Sequence, residues 1–444
     1  MPMSHPLLPT INNRMRCKEN KGHKENKGIK MNNEPSQSGT SSFRIRRRSG
    51  GFALSTMMCT VVILFILGLG LLAVGLQSRS FAVRTSSDMV ARCAADAGAT
   101  KALYQMNEKL KVIPWNGSIL PQATNEALPN TDAVYTYSVE GDLINGYNLK
   151  SKGQSGLRNK KVNCSLALVG PFERAILAQN NVILKAGMLI DGYNSGDPWD
   201  DNIDVQVGTT SVLPDSVVLN MGVVVKGNVA VGVGGNVGTV IKDLGATTFR
   251  KYAMLQEVQL PPVTVPELVD TGTDLKAQGT TLIVGPADNG QYGQIQLKKA
   301  ANPGILQVDG GDVILYIKGD ISLGQNCEII IKDGSTLNLY LEGDLKADNS
   351  AGFNNLGVPS DFKLFGTNPT EQSFVLRAKS ESLGAIYAPN ADIVVMADSD
   401  IRGSITANNI TMMATGDFYY DEALRTVTTD DDAVRFVIRQ WREE

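Results

Sequence analysis

Leu315-Tyr316-Ile317-Lys318-Gly319-Asp320-Ile321 and Leu339-Tyr340-Leu341-Glu342-Gly343-Asp344-Leu345 are two copies of one phrase, set 24 residues apart. Each closes on an apolar, a charged, a Gly, a small polar and an apolar residue, in which Gly and the small polar residue suit a turn of the chain and the apolar runs read as short strands. The same ending recurs at Val225-Lys226-Gly227-Asn228-Val229 and at Ile401-Arg402-Gly403-Ser404-Ile405. A 24-residue interval lies within the range of one coil of a stacked repeat, whose turns bury their apolar faces only against neighbouring turns. Residues 171–424 are therefore expected to form a β-solenoid domain, right-handed β-helix-like, with Val, Ile and Leu ladders inside and Gly-Asp or Gly-Asn at the corners. An irregular β-sandwich is the competing arrangement, since several intervals are uneven. Leu260-Pro261-Pro262-Val263 interrupts the series and reads as a linker.

Upstream of this domain the pattern is simpler. Val134-Val139, Tyr147-Gly153 and Lys161-Leu168 read as three strands separated by turns such as Asn145-Gly146, so residues 113–170 are expected to form a small β meander. Before it, Met89, Val90, Cys93, Ala97, Leu103, Met106 and Leu110 recur at three-to-four spacing, the period of a helix, with two shorter helices as the alternative. Pro114 and Trp115-Asn116-Gly117 end it. Asp432-Glu444, with Val434, Val437, Ile438 and Trp441 at helical spacing, suggests a C-terminal cap helix within residues 425–444.

Residues 52–76 read FALSTMMCTVVILFILGLGLLAVGL, and no charge occurs from Ser49 to Ser78. About 20 apolar residues suffice to cross a bilayer, whereas the core of a cleaved secretory signal is only ~7–15 long. Residues 49–112 are thus expected to form a transmembrane helix that continues out of the lipid, up to ~90 Å long at 1.5 Å per residue. Residues 1–48 carry eleven Lys or Arg and three Glu, which leaves −11 on the remainder of a chain of net charge −3. Arg44, Arg46, Arg47 and Arg48 directly before the span place the N-terminus in the cytoplasm. The tail repeats Lys18-Glu19-Asn20-Lys21-Gly22-His23 as Lys24-Glu25-Asn26-Lys27-Gly28-Ile29 and is expected to be disordered. Its interspersed Glu residues weaken it as a contact for nucleic acid, which is not expected as a partner, and Met31 offers a shorter start. The remaining chain would face the periplasm or the cell surface, a single-pass protein of a bacterial inner membrane with the lipid bilayer as its first partner.

The junction Arg46-Arg47-Arg48-Ser49-Gly50-Gly51-Phe52-Ala53-Leu54 resembles the leader of type IV prepilins. That resemblance implies a prepilin peptidase cutting between Gly51 and Phe52, and other pilin-like subunits as partners. Thr56 stands fifth in the processed chain, where major pilins usually carry a Glu. Cys93-Ala94-Ala95-Asp96-Ala97-Gly98-Ala99 with Lys101-Ala102-Leu103 is similar to the helix signature of the PilX-type N-terminal family, with Asp96 in place of Glu. Gly384-Ala385-Ile386-Tyr387-Ala388-Pro389-Asn390-Ala391-Asp392 and Phe418-Tyr419-Tyr420-Asp421-Glu422-Ala423-Leu424 are similar to the end of an uncharacterised β-helical domain that follows such N-termini. The resemblance implies a pilin-like structural or adhesion subunit, of minor or tip type, rather than an enzyme.

Chemistry is sparse. His5 and His23 are the only histidines and both precede the span, which removes Ser-His-Asp catalysis and imidazole zinc sites from the outer part. Cys17, Cys59, Cys93, Cys164 and Cys327 show no CxxC and no disulfide framework. Val231-Gly232-Val233-Gly234-Gly235-Asn236 lacks the Lys-Ser/Thr that completes a phosphate loop. Carboxylates remain. Asp191, Asn194, Asp197, Asp200, Asp201 and Asp204 could ligate calcium or simply form a solvated acidic loop. Asp398, Asp400 and Arg402 could serve a polysaccharide-active enzyme or a polar corner. No catalytic residue, metal or cofactor is expected. The alternatives to the pilin-like subunit are a membrane-anchored polysaccharide-active β-helix enzyme and an unprocessed envelope scaffold.

Overall fold

The computed structural model describes residues 52–444 except 113, 144, 198, 200–202, 378–381, 397–399, 414–415 and 430. The protein is mainly β, with one long N-terminal apolar helix, α1 (Phe52–Lys109). Leu54 to Leu76 of α1 are exposed throughout, and α1 is long and apolar enough to cross a membrane.

The second half of α1 packs on an antiparallel sheet. Strands β1 (Gln122–Ala127), β2 (Val134–Asp142), β3 (Gly146–Ser155) and β4 (Arg158–Val169) follow one another as hairpins. β3 alternates strictly between buried and exposed residues, so its apolar side lies on the helix and its lysines face water. The fifth strand is Arg435–Glu443, which pairs antiparallel with β4. The C-terminal cap helix expected within residues 425–444 is therefore a strand. Its helical spacing was outweighed by a β-rich composition and by the open edge of β4, against which Phe436 and Ile438 bury. Asn107 of α1 fixes this strand by exchanging two hydrogen bonds with the Phe436 backbone, at 2.7 and 3.2 Å.

The rest of the chain is parallel. Among the described residues nineteen strands form one sheet and four more a second. Asp312–Ile317 pairs with Thr336–Leu341, so that Leu315, Tyr316 and Ile317 lie beside Leu339, Tyr340 and Leu341. The 24-residue interval of the sequence is this register. The inward side chains of these strands are Val, Ile and Leu and are fully buried. Each buried Leu or Ile contributes on the order of 1.5–3 kcal/mol, available only because the next strand covers it.

The order of strands in space departs from the chain order. From Ile176–Leu184 the chain winds through Val205–Thr209, Val217–Leu219 and Val224–Val231 to the edge strands Ile241–Asp243 and Thr247–Ala253. It then restarts at Leu275–Gln278 and Thr281–Val284 and winds back to Ile401–Met412. That strand pairs on its far side with Ile176–Leu184, Ile405 beside Ile176 and Met412 beside Leu184. Leu260-Pro261-Pro262-Val263 is the crossing between the two series. Proline has no amide to offer a ladder, so the segment lies across the strands instead. Leu260, Val263 and Val265 pack on Phe172, Tyr340, Phe365 and Tyr387, and the Tyr387 hydroxyl donates to the Pro261 carbonyl at 2.7 Å.

Candidate functional site

The Gly51-Phe52 junction divides at the limit of the description: Gly51 lies outside the described residues and Phe52 is the first residue of α1. Thr56 lies in the first turns of that helix, where its carbonyl accepts the Thr60 hydroxyl at 3.1 Å.

The segment Cys93–Ala99 lies where α1 meets the sheet. Ala91, Ala94, Ala95, Ala99 and Ala102 are wholly buried, while Cys93 is exposed. The backbones approach so closely that a methyl group on Gly153 would run into the Ala91 carbonyl and the Ala95 amide. Ser151 uses the proximity to donate to the Ala95 carbonyl at 2.7 Å. Small residues at this spacing are thus explained by contact distance. Asp96 sits at the rim of the contact, where burial raises its carboxyl pKa, Arg92 opposes that and Glu443 adds to it. Arg92 and Glu443 pair at 3.0 Å, tying α1 to the C-terminal strand. Beside this contact, Ala82, Met89, Val90 and Cys93 of α1 with Leu128 line an open apolar groove of about 680 Å³.

The described carboxylates of the acidic loop do not converge. Asp191 pairs with Lys226 at 2.5 Å and accepts the Gly192 amide. Asn194 accepts the amides of Gly196 and Asp197, and Asp197 accepts that of Trp199. Asp204 is met through its carbonyl, by Arg425 at 3.2 Å. Asp200 and Asp201 lie outside the described residues. Among the described residues no three His, Cys, Asp or Glu side chains gather as a metal site.

The Asp400 corner is built differently from a catalytic pair. Asp400 Oδ1 accepts the Asp417 amide at 3.0 Å, and Asp417 Oδ1 accepts the Leu189 amide at 2.9 Å. Arg402 lies over the rings of Tyr193 and Tyr419, 5.4 and 5.8 Å from their centroids. Asp398 lies outside the described residues. The two Gly-Asp phrases repeat the device: Asp320 Oδ1 accepts the Asp344 amide and Asp344 Oδ1 accepts the Ser373 amide, both at 2.9 Å. A corner carboxylate that accepts the next strand's amide is oriented by that bond for structure, and at an exposed corner the bond is worth about 1 kcal/mol. Asn409 and Asp392 extend the pattern at another corner, where Asn181 donates to Asn409 and Asn409 to Asp392 at 2.8 and 2.6 Å.

One cluster carried no signal in the sequence. Tyr340 donates to Asp432, burial raises the pKa of both groups, and Lys363 lies 3.6 Å from Asp431. Asp431 and Asp432 follow Leu424 by only a few residues but meet Tyr340 and Lys363 across the fold, a proximity that no local pattern encodes.

Residues 266–427 match a family model described as Domain of unknown function (DUF7305). That match spans the returning series of parallel strands and stops short of the C-terminal strand. No curated protein sequence matches the chain. Among solved structures, the competence-associated pilin ComZ from Thermus thermophilus is similar at 15% identity, over 81% of this chain and 97% of that one, with a TM-score of 0.25. At that score the match bears on neither fold nor function.

Proposed function

We propose that the protein is a pilin-like structural or adhesion component of a bacterial cell envelope, of minor or tip type, anchored by the first half of α1. The observation that carries this reading is the division of α1 itself: an apolar, fully exposed stretch from Leu54 to Leu76, followed by an Ala-Gly face seated on an antiparallel sheet. The prepilin-like junction at Gly51 and Phe52 and the PilX-type signature at Cys93–Ala99 support it. In this reading the N-terminus is cytoplasmic, a prepilin peptidase and other pilin-like subunits are partners, and the parallel strands form a β-solenoid that presents a surface outside the cytoplasm. Thr56, in place of the usual Glu, argues against a role as a repeating fibre subunit. The structural use of Asp191, Asp400 and Asp417 favours a non-enzymatic protein over a polysaccharide-active one.

N-terminal sequencing of the protein from its native host tests the reading. Phe52 as the first residue supports processing; an intact Gly51-Phe52 bond removes it and leaves an unprocessed scaffold. Leu67→Arg, which puts a charge at the middle of the span at a cost of about 2.5–3.5 kcal/mol, is expected to release the chain from the membrane fraction. Retention of that variant in the bilayer would contradict the anchor.

A further inference from the structure

One row of register partners runs along the outer side of the parallel sheet from edge to edge. It starts at Tyr252, passes Leu177, Tyr387, Phe365 and Tyr340, and ends at Asp270, ten strand spacings in all. The chain itself joins the two ends of this row. Met254 donates its amide to the Val231 carbonyl at 2.9 Å, and the Val269 carbonyl accepts the Gln291 amide at 2.8 Å. Between these anchors, residues 255–268 make no hydrogen bond from main chain to main chain among the described residues. Ten spacings of about 4.8 Å make the row about 48 Å long, so the fifteen residue steps from Met254 to Val269 cover it at about 3.2 Å each, the rise of a formed β-strand. A chain reaches at most about 3.3–3.6 Å per residue, which leaves this segment almost no slack. Its prolines suit that task, since Pro261, Pro262 and Pro266 hold themselves and the residues before them in extended backbone. Its apolar side chains follow the row: Val258 and Leu260 pack beside Leu177, and Leu260, Val263 and Val265 pack on Tyr387, Phe365 and Tyr340.

We propose that residues 254–269 are a taut stay that clamps the two ends of the parallel stack together and sets the number of strand levels between them. Parting any two strands along the row lengthens the path that the stay must cover, and the stay has no length to give. The junction of Ile401–Met412 with Ile176–Leu184, where the returning series meets the first, lies under the stay and is restrained with the rest. Along the row the ladder resists separation through hydrogen bonds alone, whereas the stay resists through covalent bonds. Its tightness also explains why it can dispense with a ladder of its own: anchored at both ends and laid on the aromatic rings, it has few other paths to take. The stay requires nothing of the pilin-like reading and would serve an enzyme or a scaffold equally.

Length alone tests the stay. Leu255 is 95% exposed, and Gln256 is exposed with one hydrogen bond, from Nε2 to the Ile438 carbonyl at 3.3 Å. Deleting both removes about 7 Å of reach and few contacts. Hydrogen exchange read by mass spectrometry, on the full-length protein in detergent, compares three variants with the wild type: the deletion of Leu255 and Gln256, Leu255→Gly/Gln256→Gly at native length, and a Gly-Ser insertion between the two residues. In the deletion, the amides of Thr247–Ala253 or of Gly290–Tyr292, at the two ends of the row, should exchange about tenfold faster or more, because an end strand frays to supply the missing length. The glycine pair and the insertion should keep wild-type rates there. A deletion that fails to fold beside a folded glycine pair and a folded insertion supports the stay in the same way. Wild-type rates at both ends in the deletion would overturn it, since the segment then has slack. Equal acceleration or loss of fold in the glycine pair or the insertion would overturn it too, since the ends then depend on side chains or local packing rather than on length.

Discussion

The antiparallel sheet and the parallel ladders solve the same burial problem with opposite use of the chain. In β1 to β4 each strand meets the one made just before it, and only Arg435–Glu443 comes from far away. In the parallel region most contacts span roughly one repeat, and two, Ile176–Leu184 with Ile401–Met412 and Leu189–Tyr193 with Phe418–Asp421, join the beginning of the series to its end. The first region depends on a few tight contacts between a helix and a sheet. The second depends on many equivalent ones. Damage should therefore be concentrated in one and distributed in the other.

The largest effect is expected from Phe436→Ala. Phe436 is buried between Trp115 and Tyr147, with ring centroids 5.7 and 5.2 Å away, and is the main apolar anchor of the strand that closes the sheet. Its truncation should cost about 3–5 kcal/mol. Denaturant unfolding followed by tryptophan fluorescence would show it, and a loss below 1 kcal/mol would mean that the C-terminal strand does not hold this sheet. Gly153→Ala should cost less, about 1–3 kcal/mol, because its methyl group meets helix backbone that cannot step aside cheaply. A neutral result in the same assay would show that helix and sheet are not in close contact. In the parallel region, Asp344→Ala leaves the Ser373 amide without its acceptor and should cost about 1 kcal/mol. Hydrogen exchange should localise that loss to the Ser373 amide and its neighbours; accelerated exchange across the whole ladder would contradict distributed stability.

The smallest effect concerns pH. Lys251, followed by the amides of Ala246 and Gly245, holds the Asp243 carboxyl down to about 2. A depressed carboxyl pKa adds stability that is present above the ordinary value of 3.8 and is lost as pH falls toward 2. Lys251→Ala should move the Asp243 midpoint back toward 3.8, as read by carboxyl NMR. An unmoved midpoint would show that the edge strand lacks this pair.

The contrast also explains what the sequence could convey. Val134-Val139, Tyr147-Gly153 and Lys161-Leu168 fall inside β2, β3 and β4, because alternation and Gly turns are local signals that decide a hairpin. The register of Leu315 on Leu339 was legible for a related reason: the repeat is itself the register. The end of the chain misled, since Val434, Val437, Ile438 and Trp441 fit a helix until the free edge of β4 is known. The closure of the parallel series was hidden as well. Nothing near Ile176 or Ile405 states that the two will be neighbours, as each strand is equally ready to pair with any partner of like pattern. Asp191 and Asp400 are visible in the sequence as polar positions, but their tasks become definite only with Lys226 and the Asp417 amide in place. Tyr340, Lys363, Asp431 and Asp432 had no local pattern to betray them.

The closure is the central structural claim and can be tested directly. Ile183 and Thr411 are register partners across it, both on the outer side. Adjacent strands lie about 4.8 Å apart, within the Cα separation a disulfide tolerates. In Ile183→Cys/Thr411→Cys, mild oxidation of the folded protein should give an intramolecular disulfide, read as one linked peptide pair by mass spectrometry. Two free thiols after oxidation, or linkage only between separate molecules, would contradict a chain that closes on its own first strand.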